Sequence, residues 1–110
     1  MAECYKLNMT LRMYPELRNI FVAVQKHSEI WLALLFGSFA KAMASEDSDI
    51  DIFVETRNRK LKKELELLNS RLSVKIGNYD RSNKVIREIE KDHVIIKGVE
   101  LFYEKNEFFE

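Results

Sequence analysis

Apolar residues recur along the chain in several distinct rhythms. Tyr5, Leu7, Met9, Leu11 and Met13 fall on every second position, which predicts a strand or extended arm within an N-terminal arm spanning residues 1–14. Pro15 suits the first turn of a helix, where a missing N–H does no harm. Leu17, Ile20, Phe21 and Val24 follow at helical spacing, predicting a helix to about His27. Trp31 to Phe36 is an unbroken apolar run that stops at Gly37, the mark of a strand covered on both faces. Residues 49–55 alternate instead, with Ile50, Ile52 and Val54 on one face and Asp49, Asp51 and Phe53 on the other.

Residues 58–71 return to helical spacing through Leu61, Leu65 and Leu68, with Asn58 as the expected cap. Leu72, Val74 and Ile76 predict a short third strand ending at Gly77. Ser82 is placed to cap a further helix whose buried stripe is Val85, Ile86, Ile89 and Ile96. Gly98 is expected to end that helix in a left-handed cap, with Val99 to Tyr103 as a last short strand. Residues 105–110 form a C-terminal tail that ends on the aromatic pair Phe108 and Phe109. Helices and strands in this order specify an α+β fold, a mixed sheet with helices packed on it.

Composition narrows the function. A chain of 110 residues allows one domain with a modest core, spanning 1–110. With 46% hydrophobic residues, three glycines and one proline, it should fold rather than remain disordered. The single Cys4 can form neither an internal disulfide nor a cysteine metal site. No apolar run reaches the roughly 18 residues of a membrane span, and the start lacks a signal-peptide pattern, so the expected location is cytoplasmic, away from membranes. Zero formal net charge argues against a general nucleic-acid binder. That neutrality averages opposed blocks: Glu46, Asp47, Asp49, Asp51 and Glu55 lie without a cation between them, followed by Arg57, Arg59, Lys60, Lys62 and Lys63 without an acid. The basic run reads as a solvated face or as a contact for an acidic partner or RNA.

The chemistry concentrates between residues 33 and 54. A buried strand delivers Gly37 and Ser38 to a tight turn, where glycine lets a ligand approach the backbone and a helix start would aim free N–H groups outward. Such a turn suits a triphosphate. Asp49 and Asp51 lie two apart on a strand, so both carboxylates leave the same face about 6.5–7 Å apart. Carboxylates in that arrangement suit Mg²⁺ shared with substrate phosphates, and two such ions serve the attacking and leaving oxygens of phosphoryl transfer.

Gly37, Ser38, Phe39, Ala40 and Lys41, followed by Ser48, Asp49, Ile50, Asp51 and Ile52, resemble the signature of the DNA polymerase β-like nucleotidyltransferases in their minimal (MNT) branch, including its MntA-like antitoxins. The resemblance covers about residues 15 to 104. It implies the polymerase β-like fold and a Mg²⁺-dependent nucleotidyltransferase using two metal ions. It further implies transfer of a nucleoside monophosphate, AMP from ATP or the equivalent from another NTP, to a hydroxyl with release of pyrophosphate. On this resemblance Gly37, Ser38, Lys41 and Ser48 bind the nucleotide, and Asp49 and Asp51 are the catalytic metal ligands. It also implies a partner protein as acceptor, a HEPN-domain toxin for which the chain is the antitoxin, in a homo- or hetero-oligomer.

Two positions depart from the family pattern. Ala42 stands where a second glycine is expected, and Lys75 stands where the next strand carries a third carboxylate. Asp80, just beyond Gly77, is the one acid placed to fold back as a substitute, whereas Glu55 lies about 13 Å along the strand from Asp51. Lys75 keeps a second reading open: an antitoxin of the same fold, catalytically impaired, that neutralises its partner by contact. A third is a nucleotide-binding sensor without transfer. His27 and His93 form no ligand motif; His93 falls near the Ile89–Ile96 stripe and reads as a core or boundary histidine. The alternating arm and the aromatic tail read either as folded back on the core or as an oligomer or partner interface.

Overall fold

The computed structural model describes residues 2–78, 80 and 82–107. Helix α1 (Ala2–Met13) leads through a 3-10 turn (Pro15–Leu17) into α2 (Arg18–Lys26). Strand β1 (Leu32–Phe36) runs directly into the short helix α3 (Gly37–Ala40), and an irregular loop returns to β2 (Ile50–Glu55). Then come α4 (Leu61–Glu66), β3 (Leu72–Ile76), α5 (Lys84–Lys91), β4 (Val94–Lys97) and α6 (Val99–Glu107). The four strands lie in the order β3-β2-β1-β4. β1 is antiparallel to both β2 and β4, while β2 and β3 are parallel, so the sheet is mixed and the fold α+β.

Each face of the sheet carries its own core. Ile50, Ile52 and Val54 turn to one side with Ala33, Leu35 and Val74, packed under Leu17, Ile20, Phe21 and Val24 and under Leu61 and Leu65 of α4. Leu32, Leu34, Phe36, Phe53 and Ile95 turn to the other, under Ile86 and Ile89 of α5 and Phe102 of α6. The sequence alternation in β2 thus assigns its faces correctly, and all five residues of β1 are buried. Side chains hydrogen-bond to both edges of the sheet. On β3 the Val74 N–H donates to Glu66 Oε2 (2.9 Å) and the Val74 carbonyl accepts from Lys62 Nζ (3.0 Å); on β4 the Ile96 carbonyl accepts from Gln25 Nε2 (3.2 Å). Lys62, one of the five cations of the basic run, therefore guards an exposed strand edge.

Several elements differ from the sequence expectation. The N-terminal segment is helix α1, not a strand or extended arm. Apolar residues on every second position also contain helical i, i+4 pairs: Leu7 and Leu11 pack with Tyr14 against the core, while Tyr5, Met9 and Met13 are exposed. The helix expected to reach Arg71 ends at Glu66, with Leu61 and Leu65 buried and Leu68 exposed. Asn58 makes a turn ahead of it, its Oδ1 accepting the Lys60 N–H. Asn83, rather than Ser82, caps α5 by accepting the Val85 N–H.

Ile96 lies on strand β4 rather than on α5. Gly98 does adopt a left-handed conformation (φ +86°), but it joins β4 to α6. Residues 99–103 are the start of α6, not a strand. Phe102 is the buried anchor while Val99 and Tyr103, four apart, are exposed, a helical distribution. His93 is a boundary residue, as expected: its Nδ1 lies 2.8 Å from the Ile89 carbonyl and its ring packs on Phe102. Phe108 and Phe109 lie outside the described residues.

Candidate functional site

The register of β1 against β2 builds the centre of the site. Phe36 at the end of β1 is the partner of Asp51 on β2, so the next residue, Gly37, meets the Asp51 side chain. Gly37 has φ +73°, and a Cβ there would fall 2.5 Å from Asp51 Oδ2. Only glycine accommodates both demands at once. Helix α3 starts on this glycine from an extended Phe36 (φ −138°, ψ −171°), with no side chain capping its first turn. Ser38 is half-buried, and its carbonyl accepts the Met43 N–H (2.9 Å).

Lys41 follows α3, exposed. Ala42 then takes φ +58°, the left-handed conformation that the glycine of the resembled pattern would accept freely and that strains alanine. Ser48 faces back into its own loop, its Oγ accepting the Ser45 N–H (2.9 Å). Asp49 is exposed at the lip of β2, and Asp51 is half-buried one row further in.

The electrostatics of Asp51 gather the rest. Burial raises its pKa above the ordinary 3.8; the charge of Asp49 adds to the rise, then that of Glu88, and Lys75 opposes them. Glu88 was not singled out in the sequence. It lies on the polar side of α5, and nothing local indicates which face of the sheet α5 covers. Because Ile86 and Ile89 dock on the Phe53 side, Glu88 comes within electrostatic range of Asp51.

Lys75 is the β3 partner of Phe53, and Ser73 is the partner of Asp51. Lys75 is exposed and, among the described residues, has no ion pair. It lines an open cavity of about 390 Å³ whose walls include Phe53, Asp80, Asn83 and Ile86. Asp80 is occupied locally: its Oδ1 accepts the Ser82 N–H (3.0 Å) and the Ser82 hydroxyl (2.8 Å), which holds its carboxyl below the usual value. Glu88, and not Asp80, is among the charges that act on Asp51. Glu55 is engaged elsewhere, accepting from Trp31 Nε1 at 2.7 Å.

The arrangement can be tested for a divalent cation by its donors. Two carboxylates, with a third acid in electrostatic range, form an oxygen-only negative centre. Among the described residues no three of His, Cys, Asp or Glu gather to hold an ion by themselves. That donor set fits Mg²⁺, which keeps few protein ligands and takes the remainder from phosphate and water.

The likeness to known proteins agrees with this geometry. No curated protein matched the chain. A solved structure described as "Crystal structure of the toxin-antitoxin with AMP-PNP" superposes with a TM-score of 0.53 at 20% identity, over 82% of this chain and 77% of that one. At that identity the likeness establishes a shared fold. The family described as "Polymerase beta, Nucleotidyltransferase" matches residues 18–108, from the start of α2 to beyond α6. With the glycine turn set against Asp51 on a mixed sheet, and that family matching most of its length, the chain belongs to the polymerase beta nucleotidyltransferases.

Proposed function

We propose that residues 1–110 form one minimal nucleotidyltransferase domain that moves a nucleoside monophosphate, AMP from ATP, to a hydroxyl of a partner protein. The partner is a HEPN-type toxin, and the chain acts as its antitoxin in the cytoplasm, within a homo- or hetero-oligomer. The observation that carries this reading is the contact between the Gly37 turn and Asp51. It sets the start of α3 directly beside an acid suited to a metal ion.

In this reading the N–H groups at the start of α3, with Gly37 and Ser38, hold the triphosphate, and Lys41 and Ser48 border it. Asp49 and Asp51 are the residues that would hold Mg²⁺, which when bound would supply charge neutralisation at the phosphates and activation of the attacking oxygen. The acceptor hydroxyl oxygen bonds to the α-phosphorus as the bond to the α–β bridging oxygen breaks, its proton passes to solvent, and pyrophosphate leaves. Burial and the neighbouring acids Asp49 and Glu88 raise the Asp51 pKa, and a bound cation would favour its ionised form. Net neutrality fits a protein acceptor better than a nucleic-acid one.

Incubation with α-labelled ATP, Mg²⁺ and the HEPN-domain protein encoded beside it should label that protein, and Asp51→Ala should abolish the label. Lys75 favours a second reading, in which the same fold neutralises its partner by contact alone. That reading requires no label, a tight complex that survives Asp49→Ala, and a gain of labelling in Lys75→Asp.

A further inference from the structure

The span between the Gly37 turn and Asp51 is an exposed loop: residues 41–43, 45–47 and 49 face solvent. Beside it lies an open cavity of about 380 Å³, lined by Tyr14, Glu16, Ala44, Ser45, Glu46 and Arg71, and the loop's Ala44 packs against the core. Within the loop, hydrogen bonds join Ser45 to Ser48 and Met43 to Ser38. Two residues from outside it add side-chain contacts.

Arg71 grips the loop on both sides of Asp49. Its guanidinium Nη1 donates to the Glu46 carbonyl at 2.7 Å, and its own backbone carbonyl accepts the Ile50 N–H at 2.8 Å. The guanidinium also sits 5.7 Å from the centre of the Phe39 ring and 3.7 Å from Glu16. Tyr14 makes the second grip: its hydroxyl accepts the Ala44 N–H at 3.1 Å, and its ring meets Phe39 edge-on at 4.7 Å. Phe39 is fully buried within α3. Arg71 and Tyr14 thus tie the loop to the same aromatic side chain that anchors the Gly37–Ser38 turn.

We propose that Arg71 and Tyr14 are positioning residues that hold Asp49 in place relative to the Gly37–Ser38 turn. This rests on the nucleotide–metal reading given above, because Asp49 and the turn are the two halves of that site. A guanidinium is needed at position 71: it presents several N–H donors in a plane while its face rests on an aromatic ring, which a lysine ammonium cannot do at once. Tyr14 contributes through its hydroxyl, separately from the packing of its ring.

The test combines amide hydrogen exchange of residues 44–49, thermal unfolding, and titration with Mn²⁺·ATP, for wild type, Arg71→Ala, Arg71→Lys and Tyr14→Phe. Arg71→Ala and Tyr14→Phe should speed exchange of the loop amides and weaken Mn²⁺·ATP binding roughly tenfold, the order of one hydrogen bond. Arg71→Lys should recover the melting temperature of wild type without recovering the affinity. The proposal is overturned if loop exchange is unchanged in both Arg71→Ala and Tyr14→Phe. It is equally overturned if affinity follows melting temperature and returns in Arg71→Lys, which marks a structural role only. Failure of the wild type to bind Mn²⁺·ATP would remove the nucleotide reading and with it this role for the clasp, while the exchange of residues 44–49 would still show whether Arg71 and Tyr14 hold the loop.

Discussion

Gly37 and Asp51 compete for one volume: a β-carbon on Gly37 would lie 2.5 Å from the Asp51 carboxylate oxygen. Gly37→Ala should therefore do two separable kinds of damage. The positive φ costs about 1–2 kcal/mol, and the clash displaces the carboxylate. In an Asp51→Ala background the clash disappears and only the backbone cost remains. A double-mutant cycle by chemical denaturation should show that coupling; purely additive effects would mean the two residues do not meet.

Ala42 offers the opposite substitution. At φ +58° alanine carries strain that glycine lacks, so Ala42→Gly should stabilise the fold by about 1 kcal/mol, a rise of roughly 5 °C in melting temperature. Thermal unfolding checks this, and a lower melting temperature would place the loop in another conformation.

Asp51 is expected to weaken the fold that holds it. Burial, Asp49 and Glu88 raise its pKa above 3.8, so the folded state binds its proton more tightly than the unfolded chain does. The stability this gives is fully present below 3.8 and is lost as pH rises through the folded value. At neutral pH, Asp51→Asn should melt a few degrees higher than wild type, and the difference should shrink on acidification. Mg²⁺ should raise the melting temperature of wild type and leave the variant unmoved. An Asn variant less stable than wild type at neutral pH would contradict this account.

Glu66 behaves with the opposite sign. Hydrogen bonds from Lys62 and then from the Val74 N–H lower its pKa below 4.5. Its contribution is present above 4.5 and lost as pH falls through the folded value. Glu66→Gln should therefore melt below wild type at neutral pH, with the gap closing as pH falls below 4.5. Loss of the clasp also opens the β3 edge at Val74, so light scattering should report more self-association in the variant. A gap that stays constant with pH would show that the ionised carboxylate is not what holds the edge.

The residues that alternate or run unbroken over one buried strand were legible from the sequence alone. β1, the two faces of β2, β3, the 37–41 turn and the Asp49–Asp51 pair all follow from local pattern, because each side chain's direction in a strand is set by the position before it. The strain at Ala42 was legible through the family resemblance instead, as a glycine position of the family occupied by alanine. The terminal segments were not. Tyr5 to Met13 satisfies both a period of two and an i, i+4 repeat, and only the docking of Leu7 and Leu11 on the sheet selects the helix. Ile96 and Phe102 were misplaced because apolar character does not say whether burial comes from a strand or from a helix lying on it.

The site divides along the same line. Sequence order by itself determined that a glycine turn would leave a buried strand and that two acids would stand at the start of the next one. Tertiary structure decided what surrounds them. The Phe36–Asp51 register brings Gly37 against the carboxylate, the docking of α5 places Glu88 in range of it, and Arg71 brackets Asp49 from the start of β3. These neighbours are 14 to 37 residues away in sequence from the acid each acts upon or, for Arg71, 22. No local periodicity carries such distances; they are set when the two faces of the sheet bury their helices.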